Sequence, residues 1–418
     1  MVAIPSGTCL VSCPWISRAS TLFSLLSPAG RYSRCFASQT AAWKQARMVS
    51  SGDLAIYATD LSKPTFNQYI DVSATLGVKL TQFVPSLCKE NHKGQLGRIG
   101  LLGGSKDFTG APFFAAMASL RTGADLSYVF TAAEAAPALK SYSPELMVTP
   151  VYSGVGLEQA QSQAQAQGQG TYEMGILGAL RPSLPRLHAL VIGPGLGRDP
   201  AVLSAAEAVV REARELCLPL VMDADAIELV IHSKGAAVQG YTRVVLTPNV
   251  REFQRLREAL GLTSPLLLPR PAKGEEGGEG SSRCSVVEEE EEVAAREAEQ
   301  LAAELGNVTV VLKGARDIVT NGLKTLVCGV PTGLKRCGGL GDVLAGTMGT
   351  MIGWTKQGFE GEQTEEMIIL AAWWACAVTK YASLRAYNRK GRSMSATDAV
   401  EELGAVMEDL VPSPRVFF

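Results

Sequence analysis

The chain has 418 residues, a length that allows two or three domains. A hydrophobic share of 46% against 19% charged excludes wholesale disorder. A formal charge of −2 speaks against a nucleic-acid binder, which needs a basic surface.

The charge is unevenly spread. Residues 1–52 hold Arg18, Arg31, Arg34, Lys44 and Arg47 and no acidic residue, a net +5 that leaves −7 on the remainder. A Ser-, Ala- and Arg-rich, acid-free start reads as a mitochondrial or chloroplast transit peptide, with an unstructured tail as the alternative. Met48 offers an internal start that would give a cytosolic form. The 9 cysteines are odd in number and form no CxxC pair, which points to a reducing compartment. Cys217 and Cys328 sit beside apolar runs and are expected to be buried, inert thiols. His92, His188 and His232 lack metal-ligand spacing. The charge-free apolar run Met367–Thr379 is too short to span a bilayer, so no membrane partner is expected.

From about Leu54 short β-branched runs alternate with helical patterns. Strands are expected at Ile99–Leu102, Leu126–Thr131, Ala189–Ile192, Pro219–Met222, Val244–Thr247, Val308–Lys313, Ile318–Thr320 and Thr325–Cys328. Helical patterns fall at Pro112–Thr122, Ala201–Leu216, Val250–Leu260 and Glu288–Leu305, then at Asp342–Trp354, Glu365–Tyr387 and Ser395–Leu410. Continuous apolar strands between helices imply an α/β fold with a mostly parallel sheet covered on both faces. Residues 53–418 then form a single domain. Two biased stretches, near 158–172 and 263–292, read as solvated loop insertions, the second ending in the acidic run Glu288–Glu292.

Chemistry concentrates where strands end. Gly338, Gly339 and Gly341 precede the helix containing Asp342, so backbone N–H groups and the positive end of that helix share one concavity. Lys335 and Arg336 add positive charge, and the arrangement suits a polyphosphate. No GxxxxGK[ST] occurs, which excludes a P-loop. Gly193-Pro194-Gly195-Leu196-Gly197 follows a strand, but Arg198 stands where a dinucleotide fingerprint needs glycine. Gly103-Gly104-Ser105, Asp223-Ala224-Asp225, Thr247-Pro248-Asn249 and Lys313-Gly314-Ala315-Arg316-Asp317 complete a set at the carboxyl edge of the sheet, where open α/β sheets bind ligands.

In this order and spacing the segments resemble the ribokinase-like superfamily and, within it, the ATP-dependent NAD(P)H-hydrate dehydratase family. The resemblance is carried by Gly94-Gln95-Leu96-Gly97-Arg98-Ile99, the glycine loops, Asp223-Ala224-Asp225, Asn249 with Glu252-Phe253, Lys313-Gly314, and Arg336-Cys337-Gly338-Gly339-Leu340-Gly341-Asp342, across about residues 75–411. It implies a three-layer αβα fold. It also implies ATP-driven repair with Mg²⁺: phosphorylation of the ring hydroxyl of S-hydrated NADH or NADPH, then loss of phosphate.

On that resemblance Asp342 is the catalytic base and a substrate contact, ionised by its place at the helix N-terminus. Gly195, Gly197 and the stretch Asn249, Val250, Arg251, Glu252, Phe253, Gln254 and Arg255 would contact the hydrated nucleotide. Lys313, Gly314, Ala315, Arg316 and Asp317, with Thr332, Gly333, Leu334, Lys335, Arg336, Cys337, Gly338, Gly339, Leu340 and Gly341, would contact ATP. Asp225 is the candidate nearest Mg²⁺. Ala315 stands where relatives often carry Glu or another polar residue, which weakens a side-chain role there. Too few residues separate the leader from the first matching segment to hold an epimerase domain, so a separate NAD(P)H-hydrate epimerase is the expected functional partner. The alternatives are a small-molecule kinase of the same superfamily and a catalytically silent nucleotide-binding protein. Cofactor preference and assembly into a homo-oligomer stay open.

Overall fold

The computed structural model describes residues 80, 84–153, 170–262, 282–356 and 365–414. Nine strands form one sheet: β1 Arg98–Leu102, β2 Leu126–Ala132, β3 Met147–Tyr152, β4 Ala189–Ile192, β5 Leu220–Met222, β6 Val244–Leu246, β7 Thr309–Leu312, β8 Asp317–Thr320 and β9 Thr325–Cys328. Their spatial order is β3-β2-β1-β4-β5-β6-β7-β8-β9. All pairings from β3 through β7 are parallel, and β7, β8 and β9 close the edge as an antiparallel meander. The central strands β4 to β7 are buried at every residue, as a sheet covered on both faces requires. The chain reverses its direction of growth between β1 and β4, which creates a topological switch point at their carboxyl ends.

The helices are α1 Gly110–Thr122, α2 Ala136–Tyr142, α3 Gly170–Leu180, α4 Pro200–Glu215, α5 Asp225–His232, α6 Val250–Ala259, α7 Ser282–Glu304, α8 Leu340–Thr355, α9 Glu365–Lys390 and α10 Ala396–Leu410. Strand β3 is absent from the sequence expectations because Pro150 interrupts its run. Proline is tolerated here because β3 is an edge strand, where one missing ladder donor faces no partner. The second biased stretch also differs from expectation. Its Ser282–Glu292 portion is the first half of α7, not a loop. There Glu291 pairs with Arg316 at 3.0 Å and Glu292 with Arg296 one turn on. Residues 154–169 and 263–281, the bulk of both stretches, lie outside the described residues, as does the leader. Cys328 is buried and its thiol is pushed by that burial up to about 12. Cys217, by contrast, is exposed, on a left-handed turn at the end of α4 with φ of 51°.

Helix α9 extends the apolar run to 26 residues, long and apolar enough to cross a bilayer by those measures alone. Its most apolar window is 89% buried inside the protein, which is how a core helix satisfies the same composition.

Helix α8 has an unusual seat. A β-carbon on Gly346 would lie 1.9 Å from the Ala115 carbonyl oxygen of α1, and one on Gly349 would lie 2.6 Å from Val191 of β4. Bare backbone therefore lets α8 lie directly against α1 and the sheet. Gly346→Ala should destabilise the fold by at least ~1–3 kcal/mol through overpacking against a carbonyl that has no freedom to retreat. Gly338→Ala, where an added β-carbon meets nothing within 4 Å, should leave the urea midpoint unchanged.

Candidate active site

The carboxyl edge of the sheet gathers the ends of β4, β5, β6 and β7 near the N-terminus of α8. After β5 the chain delivers Asp223, which is buried and accepts two hydrogen bonds on Oδ1: from Thr247 Oγ1 at 2.7 Å and from Lys313 Nζ at 2.6 Å. Thr247 follows β6 and Lys313 follows β7, so one carboxylate oxygen ties together the ends of three adjacent strands. The loop after β6 is held to the same lysine through its backbone: Lys313 N donates to Pro248 O at 3.1 Å, and Asn249 forms an isolated parallel bridge with Lys313. The turn after β4 is equally close. A β-carbon on Gly193 would lie 1.8 Å from the Asp223 carbonyl oxygen, so only glycine fits.

Helix α8 meets this cluster end-on. Gly339 takes φ of 95° at the N-cap, and Leu340, Gly341 and Asp342 form the first turn. The first-turn N–H groups have no intrahelical acceptor and face outward as anion donors. A β-carbon on Gly341 would sit 3.6 Å from Lys313 Nζ and 3.9 Å from Asp223 Oδ2, which places the helix end directly over the ion pair.

Asp342 departs from the sequence expectation. Burial pushes its carboxyl up to about 7, and the Asp223 and Asp225 charges push the same way; Lys313 opposes them without prevailing. The favourable helix end is outweighed because the carboxylate sits in a partly closed site beside two other acids. Lys313 is held above its ordinary value. Burial alone would lower it, but Asp223, Glu252 and Asp342 together outweigh that burial. An acid poised near neutrality beside a lysine and a ring of backbone donors is equipped to take a proton from a hydroxyl while an anion is held next to it.

A cavity of about 140 Å³ opens beside Lys313. It gathers Lys313, Gly314, Asp317, Thr332, Gly333, Lys335, Arg336, Leu340 and Gly341 from the expected ATP residues. Ala315, Leu334, Cys337, Gly338 and Gly339 are not among its walls. Leu334 is 84% exposed, and Cys337 packs instead against the buried cluster of Ala386, Met394 and Ala399. Arg316 turns away to Glu291. The fourth wall comes from α9 and was missed by motif reading: Cys376, Thr379, Lys380 and Ser383. Lys380 is buried, donates to the carbonyls of Gly314 at 3.2 Å and Ala315 at 2.9 Å, and pairs with Asp317 at 3.3 Å. Asp317 Oδ1 in turn accepts from Gly314 N at 2.9 Å, so the loop after β7 is fixed from both sides. A lone lysine at the end of a long apolar run was the available signal for this wall.

The residues expected near the second substrate gather in the segments that follow β4 and β6. Asn249 caps α6, accepting from Arg251 N and Glu252 N, and Glu252 closes the capping box by accepting from Asn249 N. Burial holds Glu252 above the usual carboxylate range. Val250 and Arg251 are exposed, Gln254 is half-buried, and Phe253 is wholly buried, its ring part of the core. Arg255 forms a two-pronged pair with buried Glu228. Gly195 and Gly197 lie in the turn after β4, where Gly197 N donates to Asp225 Oδ2 at 2.9 Å. Asp225 Oδ1 accepts from Arg198 at 3.1 Å, so both oxygens of the expected metal candidate are already engaged. Among the described residues no group of three or more His, Cys, Asp or Glu gathers as a metal cage.

The sequence model of the NAD(P)H-hydrate dehydratase family matches residues 99–404, most of the chain and every strand end described above except the first residue of β1. The chain belongs to the NAD(P)H-hydrate dehydratase family. It is 42% identical over 340 residues to the ATP-dependent (S)-NAD(P)H-hydrate dehydratase of Neurospora crassa, covering 78% of this chain and 90% of that one. With the human protein of the same name it shares 38% over 341 residues, 81% of this chain and 85% of the relative. Among solved structures, a ribokinase-like superfamily protein from Enterococcus faecalis superposes with a TM-score of 0.52 at 20% identity, over 78% of this chain and 92% of that one. The Bacillus subtilis ADP/ATP-dependent NAD(P)H-hydrate dehydratase, co-crystallized with ATP/Mg²⁺, gives 0.50 at 21% identity, over 78% and 94%. The fold is thus ribokinase-like, as the motif order suggested.

In a NAD(P)H-hydrate dehydratase built this way, the raised Asp342 has two measurable consequences. If ionised Asp342 is the base, kcat/KM should rise with pH through about 7 and level above it. The folded protein also holds this proton between about 4 and about 7 while the unfolded chain has released it, so stability falls as pH rises across that interval. Asp342→Asn should therefore melt at a higher temperature than wild type at pH 8, with the difference shrinking as pH falls and smallest near pH 4, by differential scanning calorimetry.

Proposed function

We propose that the chain is a metabolite-repair lyase that uses ATP to dehydrate the S form of hydrated NADH or NADPH, releasing ADP and phosphate. The observation that carries this reading is Asp342 beside Lys313 at the N-terminus of α8, between a donor cavity and the glycine turn after β4.

The chemistry follows from the placement. Hydroxide leaves a ring poorly and phosphate leaves it well, so phosphorylating the ring hydroxyl converts a slow dehydration into an easy elimination. Asp342 accepts the hydroxyl proton as the oxygen attacks the terminal phosphorus of ATP. Lys313 and the first-turn N–H groups of α8 hold the charge that develops on the transferred group. The turn at Gly195 and Gly197 and the cap of α6 at Asn249 hold the hydrated nucleotide. A donor set without a three-ligand cage suits an ion that keeps its waters and binds mainly through phosphates. Mg²⁺ bound with ATP would be held from the protein side by the carboxylates gathered here, with Asp223 Oδ2 free of the bonds that engage both oxygens of Asp225, and would supply charge neutralisation on the phosphates. A kinase of the same fold would leave phosphate on its product; the family match and the two high-coverage relatives favour the dehydratase.

Two further elements of the reading rest on sequence. The basic, acid-free residues 1–52 address the chain to a mitochondrion or chloroplast, which a reporter fusion would localise. A separate epimerase supplies the S form from its R epimer. The decisive assay is incubation with ATP, Mg²⁺ and acid-hydrated NADH, followed at the absorbance of the reduced nicotinamide. Recovery that needs ATP and disappears in Asp342→Asn, with a loss of about 10²–10⁴-fold, is expected. Absence of ATP-dependent recovery in the wild type would remove the assignment.

A further inference from the structure

The turn after β4 ends in an arginine that the phosphoryl transfer itself does not use. Arg198 stands where a dinucleotide fingerprint needs its last glycine. Its Nε donates to Asp225 Oδ1 at 3.1 Å, and its Nη1 lies 3.3 Å from Glu228 Oε1. Asp225 and Glu228 share one face at the start of α5, so a single guanidinium bridges both acids. Arg255 of α6 reaches the same Glu228 with both of its Nη groups. Two guanidinium forks from separate loops therefore meet on one carboxylate.

The acids lie behind and the cations in front. Asp225 and Glu228 are 17% and 3% exposed, against 62% and 46% for Arg198 and Arg255. The hydrogen bond from Arg255 holds the Glu228 carboxyl below its ordinary value, so the fastening stays charged. Neighbouring forks fixed from behind and open to solvent are ordered in advance for a phosphate. The strands around them indicate which one. The unit β4-α4-β5 has the order of a dinucleotide-binding βαβ unit, in which an acid past the second strand takes the ribose 2′-hydroxyl of NAD, or an arginine accommodates the 2′-phosphate of NADP. Asp225 stands past β5 with both oxygens engaged, one of them by Arg198, so a guanidinium occupies the place of a free acid. A phosphate monoester carries close to two charges and three terminal oxygens, which two forks match better than the singly charged groups of a pyrophosphate. Asp225 is also near enough to Asp342 to raise its carboxyl, which puts the arginines within the span of one dinucleotide from the reacting end.

We infer that Arg198 and Arg255 form a clamp for the 2′-phosphate of hydrated NADPH, so that the chain favours the phosphorylated form of its substrate. The inference rests on the reading of the chain as a dehydratase of hydrated NADH and NADPH.

The test uses the full chain with ATP and Mg²⁺, as wild type and as Arg198→Gln and Arg255→Lys, the second keeping a charge beside Glu228 while losing the fork. KM and kcat are measured separately for S-hydrated NADPH and S-hydrated NADH. Wild type should have the lower KM for hydrated NADPH, an advantage that shrinks with added salt because the arginines are exposed. Arg198→Gln should raise the KM for hydrated NADPH about 5- to 10-fold at constant kcat, the effect of one charge-assisted contact weakened by exposure, and leave that for hydrated NADH within about twofold. Arg255→Lys should shift the two substrates in the same sense. Both substrates are read on one variant, so a general loss of folded protein cancels from the comparison. An equal rise for both substrates overturns the inference, since the arginines would then serve the pyrophosphate or the fold. No rise for either overturns it as well. A wild-type chain that turns over neither hydrate with ATP overturns the dehydratase reading itself.

Discussion

One ammonium group, Lys313 Nζ, stands among the carboxylates of Asp223, Glu252 and Asp342. Its bond to Asp223 is made in a buried setting, where taking either charge out of water is expensive and the pair holds only with good geometry. That geometry is supplied from three strands at once. Asp223 follows β5, Thr247 follows β6 and satisfies the same carboxylate oxygen, and Lys313 follows β7. Removing one partner of such a pair costs ~3–5 kcal/mol, because the other charge is left buried and alone. The strand register of the central sheet and the electrostatics of the site are therefore one constraint.

The same crowding sets what the site can do. Burial pushes Asp342 up to about 7, and the Asp223 and Asp225 charges push the same way against Lys313. This is the condition a general base wants: weak enough acidity to take a proton, yet ionised at the working pH. On the reading proposed for this site, a phosphate donor bound here would bring negative charge for Lys313 and the helix terminus to share, and so favour the protonated form of Asp342. The raised value of Asp342 also costs the fold stability above neutral pH.

Much of this was legible in the residues. The parallel sheet follows from continuous apolar runs, and the carboxyl-edge site follows from Gly193–Gly197, Asp223, Thr247 and Lys313 each standing just past such a run. Three things were not legible, each for a physical reason. Strand β3 hides behind Pro150 because local propensity does not register that an edge position excuses a missing donor. The raised pKa of Asp342 comes from its burial and from Asp223 and Asp225, more than a hundred residues away, whereas the local motif, a carboxylate in a first helical turn, points the other way. The α9 wall hides because its residues read as core: Thr379, Ser383 and Cys376 are small and sit in an apolar helix, and only Lys380 breaks the pattern.

Glycine has two uses in and before α8. Glycine at Gly339 and Gly341 serves the site, but Gly346 and Gly349 further along the same helix serve packing alone. These two uses are mechanically joined. An α-helix is stiff along its axis, so the depth to which Gly346 and Gly349 let α8 settle on α1 and β4 also fixes where its first turn ends. Catalytic geometry tolerates displacements of only about half an ångström. The bare backbone in the buried half of α8 thus sets the position of Asp342 over Lys313 from two turns away, and the glycine-rich loop before it needs only to turn the chain into that fixed helix.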